Sequence, residues 1–487
     1  MSIKESLISA LGNIKVSDDP DVLEQYSGKR NFGVHIPPVA VVQIENAEQA
    51  QALIKWANET KTPITPVSSK DVHVRGSSSP SVAGSVIADL SGMKKIISVN
   101  RQHRMAVVEA GVTYGELSEA LAKEGMSVSM PLKARAGKSV VTSLLDIEPR
   151  MNPAHQWSFN DPLRCVEVVW GDGNHMFTGE AAGGPLDLEK QQNAEKWQVS
   201  GAGPWMFDFY RVLTGSQGTM GIVTWAALKC QVIASVRKVF FATADTQGEL
   251  EEFVASVLLY RFADELFIMN NTQAAMLLGK DAAEVKKLKS ELPKWIALVG
   301  VCGRDMLPEK RVEVRSKDIG KMAKEHGVKF AEELAGMNGV SVLDKIQAAD
   351  EKHSWKDKMG SSRDIFFLTT IGKIPEFVEC AEKIAAETGF AKDDVCVYVQ
   401  PMHMGTSWHC EFTLPFDSSC PVQTENALRF YEKASKEMAK LDAYYSRPYG
   451  LWSELQLSKD AQSYEVLKKL RSIFDPSGIM NPGKITL

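Results

Sequence analysis

Residues 38–125 alternate between short runs of β-branched residues and segments with helical spacing. VAVVQI, TPITPV, SVIADL and RMAVVEAGV have the character of strands, whereas AEQAQALIKWANET and YGELSEALAKEG carry apolar residues at helical intervals. The later stretch CVEVVWGDGNHMFTG adds a hairpin, because two strand-like runs flank an Asp-Gly-Asn turn. This alternation restricts the N-terminal half to a mixed α/β or α+β domain.

The remaining length indicates a second domain. A chain of 487 residues is too long for one compact core. From about residue 235, longer helical segments such as AAEVKKLKSELPKW lie between strands such as WIALVGVCG and DIFFLTTIG. We therefore expect a second α+β domain, followed near the C-terminus by one further helix and a Pro/Gly-rich stop.

Composition excludes several classes of protein. The net charge of −5 provides no basic field for nucleic acid. No stretch approaches eighteen uninterrupted apolar residues, and the N-terminus lacks an apolar signal segment, so we expect no transmembrane span. The seven cysteines are scattered without a CxxC pair, which argues against an iron–sulfur cluster and favours reduced thiols in a cytoplasmic protein.

Four stretches, in order along the chain, resemble the FAD-linked oxidases of the vanillyl-alcohol oxidase superfamily. They are the loop leading into SVIADLSGM, then RMAVVEAGVTYGEL, GPWMFDFYRVLTGSQGTMGIVTWAALKC and FDPSGIMNPGKI. The resemblance implies an α+β fold in which a PCMH-type (p-cresol methylhydroxylase-type) FAD-binding domain is made of residues 1–233 and 444–487. Residues 234–443 would form an α+β cap that covers the flavin and holds the substrate.

The resemblance also implies a function. The cofactor would be FAD, and hydride would pass to it from a small hydroxy acid or a hydroxylated aromatic. Electrons would then go to a partner protein, such as an iron–sulfur subunit, or to a quinone. A peripheral association with a membrane through such partners stays open. The alternative is a non-catalytic subunit that keeps the fold and binds FAD weakly.

The stretch LTGSQGTMGIVT is the first candidate for cofactor contact. Its glycines recur at intervals of three, and glycine lets the backbone approach a ligand closely or adopt positive φ. The hydroxyls between them could donate to phosphate, although an ordinary glycine-rich turn before a strand has the same pattern. The residues predicted to bind the cofactor here are Gly215, Ser216, Gly218, Thr219, Gly221, Ile222 and Val223.

The stretch VSSKDVHVRGSSSP is the second candidate. Relatives carry several glycines in this loop, and here only one is kept while serines replace the others. Serines retain the backbone N–H groups and add hydroxyls, and the basic residues add charge for a diphosphate. The predicted contacts are Ser68, Ser69, Lys70, Asp71, Val72, Arg75, Gly76, Ser77 and Ser78, together with Gly137 and Ser139 from the next loop.

Candidate catalytic groups fall in three places. His155 stands in NPAHQWSFND, where phenol-oxidising relatives have an acidic residue beside the flavin, so it could be the base. A partly exposed loop histidine is the alternative.

The second place is YVQPMHMGTSWHCEFTLPFD. On one extended strand His403, His409 and Glu411 would share a face, because side chains alternate. Such a set could bind a divalent metal, as in hydroxy-acid relatives, but the spacing is one residue shorter than theirs. We therefore predict that His403 and His409 contact substrate and that no metal is bound. Histidines whose hydrogen bonds are satisfied within a pair of strands, with no role in the site, would give the same sequence pattern.

The third place is AYYSRPYGLWSELQL. Phenol-oxidising relatives bind the phenolate oxygen with a Tyr-Arg pair near this point, and Arg447 and Tyr449 are predicted to take that role. An arginine here could equally clamp a substrate carboxylate with two parallel hydrogen bonds. Tyrosine and arginine are also enriched at protein–protein contacts, so a subunit interface is the rival explanation.

Overall fold

Two sheets form the N-terminal half of the chain. The computed structural model describes residues 2–12, 14–28, 35–70, 78–182, 190–191, 194, 197–199, 201 and 208–485. The first sheet has the order Val16–Ser17, Ala40–Gln43, Val86–Asp89, Ile64–Val67, and its last three strands are parallel. The second is antiparallel, in the order Ile96–Asn100, Met105–Glu109, Gly221–Lys229, Leu163–Trp170, His175–Phe177.

The helices of this half follow the apolar spacing of the sequence. Helix Ala47–Thr60 coincides with the predicted segment AEQAQALIKWANET, and the side chain of Asn46 caps its first turn by accepting from the Gln49 backbone. Its apolar face is buried against the parallel sheet. The other described helices of this half are Ile3–Leu11, Pro20–Glu24, Tyr114–Lys123, Val140–Leu145, Tyr210–Leu213 and the 3₁₀ turns Pro153–His155 and Gly179–Ala181. The short strands Met126–Ser127 and Gln231–Val232 pair with each other.

One antiparallel sheet of seven strands organises the second half. Its order is Lys329–Ala331, Val236–Ala244, Trp295–Gly303, Glu265–Asn270, Cys396–Met402, Ser407–Phe416, Ser361–Thr369. The described helices are Gln247–Leu259, Asn271–Leu278, Ala282–Glu291, Pro308–Glu325, Gly339–Gln347, Ile374–Thr388, Pro421–Lys440, Leu451–Leu457 and Ala461–Phe474, with 3₁₀ turns at Trp355–Asp357, Lys392–Asp394 and His403–Gly405. Glu333–Leu334 and Met337–Asn338 form a separate two-stranded ribbon. The α+β expectation is confirmed.

The segment YVQPMHMGTSWHCEFTLPFD is a hairpin, so the prediction that it forms one continuous strand is wrong. The chain reverses at His403–Gly405, where Met404 has φ 57° and Gly405 has φ 91°. Positive φ is incompatible with an extended strand. His403 therefore lies in the turn, whereas His409 and Glu411 lie two residues apart on the second strand and share a face.

The last residues described return to the N-terminal half. The ring of Phe474 stacks on Trp170 with centroids 4.0 Å apart. The backbone of Ile64 donates to the carbonyl of Ile479 at 2.8 Å, and its own carbonyl accepts from the Asn481 backbone at 2.7 Å. Residues Tyr445, Tyr449 and Trp452 instead pack in the core of the second half. The domain boundaries at 233 and 443 remain predictions.

Among the helices that the structure describes, none combines the length and the apolar character needed to span a bilayer.

Candidate active site

A cleft with a volume of about 240 Å³ lies between the two halves. One wall comes from the loops that follow the parallel strands, and the other comes from the seven-stranded sheet. In open α/β sheets, ligands bind outside the carboxyl ends of parallel strands, which is where this cleft begins. Its described polar lining includes Ser68, Ser69, Ser78, Lys133, Arg135, Lys138, Asp146, Glu148, Ser216 and Gln217 from the first half, and Lys356, Asp364, Tyr398, His409, Glu411 and Arg447 from the second.

A cluster of hydroxyl groups closes the end of the cleft nearest the parallel sheet. Ser68 and Ser69 directly follow strand Ile64–Val67. The Ser68 hydroxyl hydrogen-bonds to that of Ser139 at 3.2 Å and contacts the hydroxyl of Thr142, while Ser69 Oγ accepts from the Ser139 backbone at 3.1 Å. Ser139 is also the N-cap of helix Val140–Leu145. The hydroxyls therefore tie two loops together at one edge of the cleft.

The predicted cofactor residues divide into three groups. The described lining of the cleft includes Ser68, Ser69, Ser78, Ser216, Gly218, Gly221 and Val223. That lining does not include Lys70, Gly137, Ser139, Gly215, Thr219 and Ile222. The predicted contacts Asp71, Val72, Arg75, Gly76 and Ser77 lie outside the described residues.

Two hydroxyls predicted to donate to phosphate have local partners instead. Thr219 is completely buried and its hydroxyl donates to the carbonyl of Ser216 at 2.7 Å, while the Ser216 hydroxyl donates to the carbonyl of Leu213 at 2.7 Å. The side chain of Ile222 belongs to the core beneath the parallel sheet. These three side chains stabilise the turn that presents Gly218 to the cleft.

Gly218 and Gly221 are required by close packing within the protein. Gly218 has φ 72°, and a Cβ there would come within 2.6 Å of Pro66 Cγ. A Cβ on Gly221 would come within 2.6 Å of the Val169 carbonyl oxygen. Both glycines also line the cleft. Gly218 thus brings the third of the four sequence stretches against strand Ile64–Val67, which Ser68 follows, and Gly221 brings it against strand Leu163–Trp170.

The lining suits a flavin dinucleotide. Apolar side chains such as Leu132, Val141 and Leu145 line the same cleft as the hydroxyls and can face a flat ring. Lys138 pairs with Asp146 at 3.7 Å and with Glu148 at 3.6 Å, so its charge is already balanced within the protein. Hydroxyls at one end and an apolar slot beside them fit the diphosphate and ring of FAD.

On the opposite wall, five polar side chains of the second half form a connected cluster. Lys356 Nζ lies 2.8 Å from Asp364 Oδ2 and also contacts Glu411. The other oxygen of Glu411 lies 3.3 Å from His409 Nε2. Thr413 donates to Asp364 at 2.8 Å from the neighbouring strand. His409, which is 2% exposed, is thus a buried imidazole paired with a carboxylate in the cleft wall.

Arg447 lies beside this cluster. Its guanidinium carbon sits 3.9 Å above the ring centre of Phe366, and the residue is 2% exposed while lining the cleft. Tyr449 packs edge-on against the same ring, with centroids 6.2 Å apart, and is not among the described lining residues. The ring of His409 lies 5.9 Å from that of Phe366, so Arg447, His409 and Tyr449 all adjoin the same phenylalanine.

His155 and His403 lie elsewhere. His155 Nε2 is 3.0 Å from Asp264 Oδ1, and Asp264 also binds Arg304. Burial alone would raise the pKa of Asp264, but the His155 hydrogen bond and the Arg304 charge outweigh it, so the pKa lies below its ordinary value. His155 therefore takes part in an ion-pair cluster outside the described lining, and its catalytic role remains a prediction.

His403 packs against Phe159 with ring centroids 5.0 Å apart, and burial lowers its pKa. Its Nε2 has no hydrogen-bond partner among the described residues. Like His155, it is not part of the described cleft lining, so substrate contact by His403 also stays a prediction. Within the described ranges, no group of three His, Cys, Asp or Glu side chains is placed to hold a metal ion.

Sequence reasoning missed Lys356, Asp364 and Tyr398 in the cleft, together with the Lys138–Asp146–Glu148 group. Lys356 is 55 residues from Glu411 along the chain. No local pattern connects the two, and only strand pairing brings them together.

Comparison with known proteins agrees with this geometry. A family model described as "FAD binding domain" matches residues 38–142, and one described as "FAD linked oxidases, C-terminal domain" matches residues 268–485. D-2-hydroxyglutarate dehydrogenase of Stutzerimonas stutzeri is 24% identical, over 97% of this chain and 96% of the relative. D-lactate dehydrogenase of Anaerostipes hadrus is 22% identical, over 92% and 89%.

Solved structures share the fold. 4-Ethylphenol oxidase from Gulosibacter chungangensis superposes with a TM-score of 0.82 at 17% identity, covering 99% of this chain and 96% of that chain. p-Cresol methylhydroxylase with substrate bound gives 0.81 at 18% identity, over 99% and 96%. With both domain types matched in order, the chain belongs to the FAD-linked oxidases of the vanillyl-alcohol oxidase and p-cresol methylhydroxylase type, and it is an FAD-dependent oxidoreductase.

Proposed function

We propose that this chain is a dehydrogenase that oxidises a small 2-hydroxy acid in the cleft between its two halves. The observation that carries the proposal is the placement of a buried base and a buried cation, His409 and Arg447, in the wall opposite the hydroxyl-lined FAD wall. Oxidation of an alcohol needs both a proton acceptor and a fixed orientation of the substrate carbon.

His409 is proposed as the base. With its Nε2–H donated to Glu411, the basic ring nitrogen is Nδ1, which takes the proton from the substrate hydroxyl. Glu411 fixes the ring and stabilises the imidazolium that results. Bound FAD supplies the two-electron acceptor for the hydride that leaves the substrate carbon. The products are then the 2-oxo acid, a proton on His409 and reduced cofactor.

Arg447 is proposed to bind the substrate carboxylate. Stacking on Phe366 uses the face of the guanidinium, and its N–H groups point outward in the guanidinium plane. A carboxylate held by two parallel hydrogen bonds fixes both the position and the rotation of a small hydroxy acid. A phenolate carries the same charge as a carboxylate but presents a single oxygen to the arginine. A hydroxylated aromatic is therefore the competing substrate.

The names of the relatives support a hydroxy acid as the substrate. Several relatives that are similar over nearly the whole chain are named for D-2-hydroxyglutarate and D-lactate. The "4-cresol dehydrogenase [hydroxylating] flavoprotein subunit" of Pseudomonas putida is 26% identical over 47% of this chain and 42% of its own length. Its description as a subunit supports a partner protein as electron acceptor, with a quinone as the other possibility. A cytoplasmic location remains a prediction, favoured by seven free cysteines.

The test is anaerobic reduction of the bound flavin by added substrate. The loss of the flavin's visible absorption (bleaching) measures this reduction. D- and L-2-hydroxy acids and 4-alkylphenols are added separately to the purified protein. Bleaching by one enantiomer of a hydroxy acid is the expected result. Bleaching by phenols alone would show that the substrate is a hydroxylated aromatic and not a hydroxy acid. A preparation without flavin that takes up no added FAD would favour a non-catalytic subunit.

A further inference from the structure

Lys356 occupies a position surrounded by side chains of the kinds that bind divalent metal ions. Its ammonium bridges Asp364, at 2.8 Å, and Glu411, whose second oxygen contacts His409. Carboxylate oxygens and an imidazole are the usual ligands of zinc and manganese. Here the cation among them is part of the protein.

The position is built by the fold. Lys356 stands on the short turn Trp355–Asp357, directly before strand Ser361–Thr369, which carries Asp364. Glu411 lies on the adjacent strand, where the pairs Asp364–Thr413 and Phe366–Glu411 fix the register. The side chains of Lys356, Asp364 and Glu411 are only 13%, 14% and 8% exposed. Solvent therefore screens little of their mutual attraction.

We propose that Lys356 is the resident cation of the substrate site and a positioning residue for the base. Its ammonium fills the space between Asp364 and Glu411 and holds Glu411 against His409. A divalent ion cannot share that space, because the ammonium is already at hydrogen-bond distance from both carboxylates. The inference rests on the proposed function, since it assigns Lys356 to the place where the substrate hydroxyl is deprotonated.

Two consequences separate this role from a purely structural one. Loss of the ammonium removes a positive charge next to the His409–Glu411 pair, which favours protonation of the pair. The acidic limb of the pH–rate profile then moves to higher pH. Loss of the side chain also leaves two buried carboxylates, Asp364 and Glu411, on either side of an open space. A variant that lacks the ammonium should therefore gain affinity for a divalent cation.

The experiment uses the purified flavoprotein and three variants. Lys356→Met should keep the visible flavin absorption, bleach about 10- to 100-fold more slowly with substrate, and show the shifted acidic limb. Lys356→Ala should bind Mn²⁺ at least about tenfold more tightly than the wild type. Binding is measured as the decrease in the electron paramagnetic resonance signal of free Mn²⁺. Lys352→Ala is the matched control, because Lys352 is an exposed lysine four residues away.

If Lys356→Met bleaches at the wild-type rate with an unchanged pH profile, the positioning role is wrong. Mn²⁺ binding by Lys356→Ala no tighter than by Lys352→Ala would overturn the cation site. If Lys356→Met loses its flavin, Asp364→Asn replaces it, with slower bleaching and an acidic limb moved to lower pH expected, because the ammonium beside the His409–Glu411 pair then lacks one of its two carboxylates. Failure of every hydroxylated substrate to bleach the wild type would refute the proposed function alone, because Mn²⁺ binding needs no turnover.

Discussion

Two glycines in LTGSQGTMGIVT have nearly the same φ and very different surroundings, which makes them a matched pair for mutation. Gly218 has φ 72° and Gly215 has φ 75°. A methyl group at either position forces alanine into the left-handed region, at about 1–2 kcal/mol. At Gly218 the methyl carbon would also lie 2.6 Å from Pro66 Cγ, whereas at Gly215 the nearest atom is the Ser446 carbonyl oxygen at 3.6 Å, an ordinary contact.

Gly218→Ala should therefore cost about 1–3 kcal/mol more than Gly215→Ala, the usual range for overpacking. Relief of the clash has to move Pro66, two residues before Ser68, so we also expect Gly218→Ala to hold FAD more weakly. Urea unfolding with and without added FAD gives the free energy of unfolding of each variant. The amount of flavin that each variant retains through gel filtration measures how tightly it holds FAD. Equal losses of stability in the two variants would refute the packing argument.

Three further predictions concern the second half. His409→Gln should slow anaerobic flavin bleaching by about 10²- to 10⁴-fold without releasing flavin, the usual contribution of a positioned base. Arg447→Gln should weaken the binding of hydroxy acids, seen as a higher substrate concentration at half-maximal bleaching rate, and unchanged binding would remove it from the site. Burial raises the pKa of Glu251 from 4.5 to about 7. Wild-type stability should therefore fall as pH rises from about 4.5 to 7. Glu251→Gln should lose this dependence, gaining up to about 3 kcal/mol over wild type in urea unfolding at pH 8.

The sequence predicted the parts of the site that are encoded locally. Ser68 and Ser69 follow a recognisable parallel strand, and Gly218 lies in a short glycine repeat before another strand. Their position in the cleft follows from the order of elements in the fold. His409 and Arg447 were predicted because each stands in a stretch unusually rich in chemically active residues; both line the cleft, and their roles remain predictions.

The turn at His403 could not be predicted from alternation alone. Gln-Pro-Met-His-Met-Gly-Thr-Ser-Trp keeps a strand-like mixture of residues through the reversal, and Gly405 was the one local signal of a turn. Thr219 was predicted to bind phosphate because of its residue type, although its hydroxyl donates to the backbone carbonyl of Ser216, three residues earlier in the same turn. Side chains of this kind often cap local backbone, and sequence does not separate that use from ligand binding.

The return of residues 479–481 to strand Ile64–Val67 has a consequence for biosynthesis. The carbonyl and amide of Ile64 find their partners on Asn481 and Ile479, residues that leave the ribosome hundreds of positions later. Asn481 also donates to the carbonyl of Gln217, next to Gly218. The edge of the parallel sheet nearest the cleft is thus finished only after residue 481 has been synthesised. A chain that stops before residue 479 lacks these bonds, so we expect such a chain to take up flavin less stably.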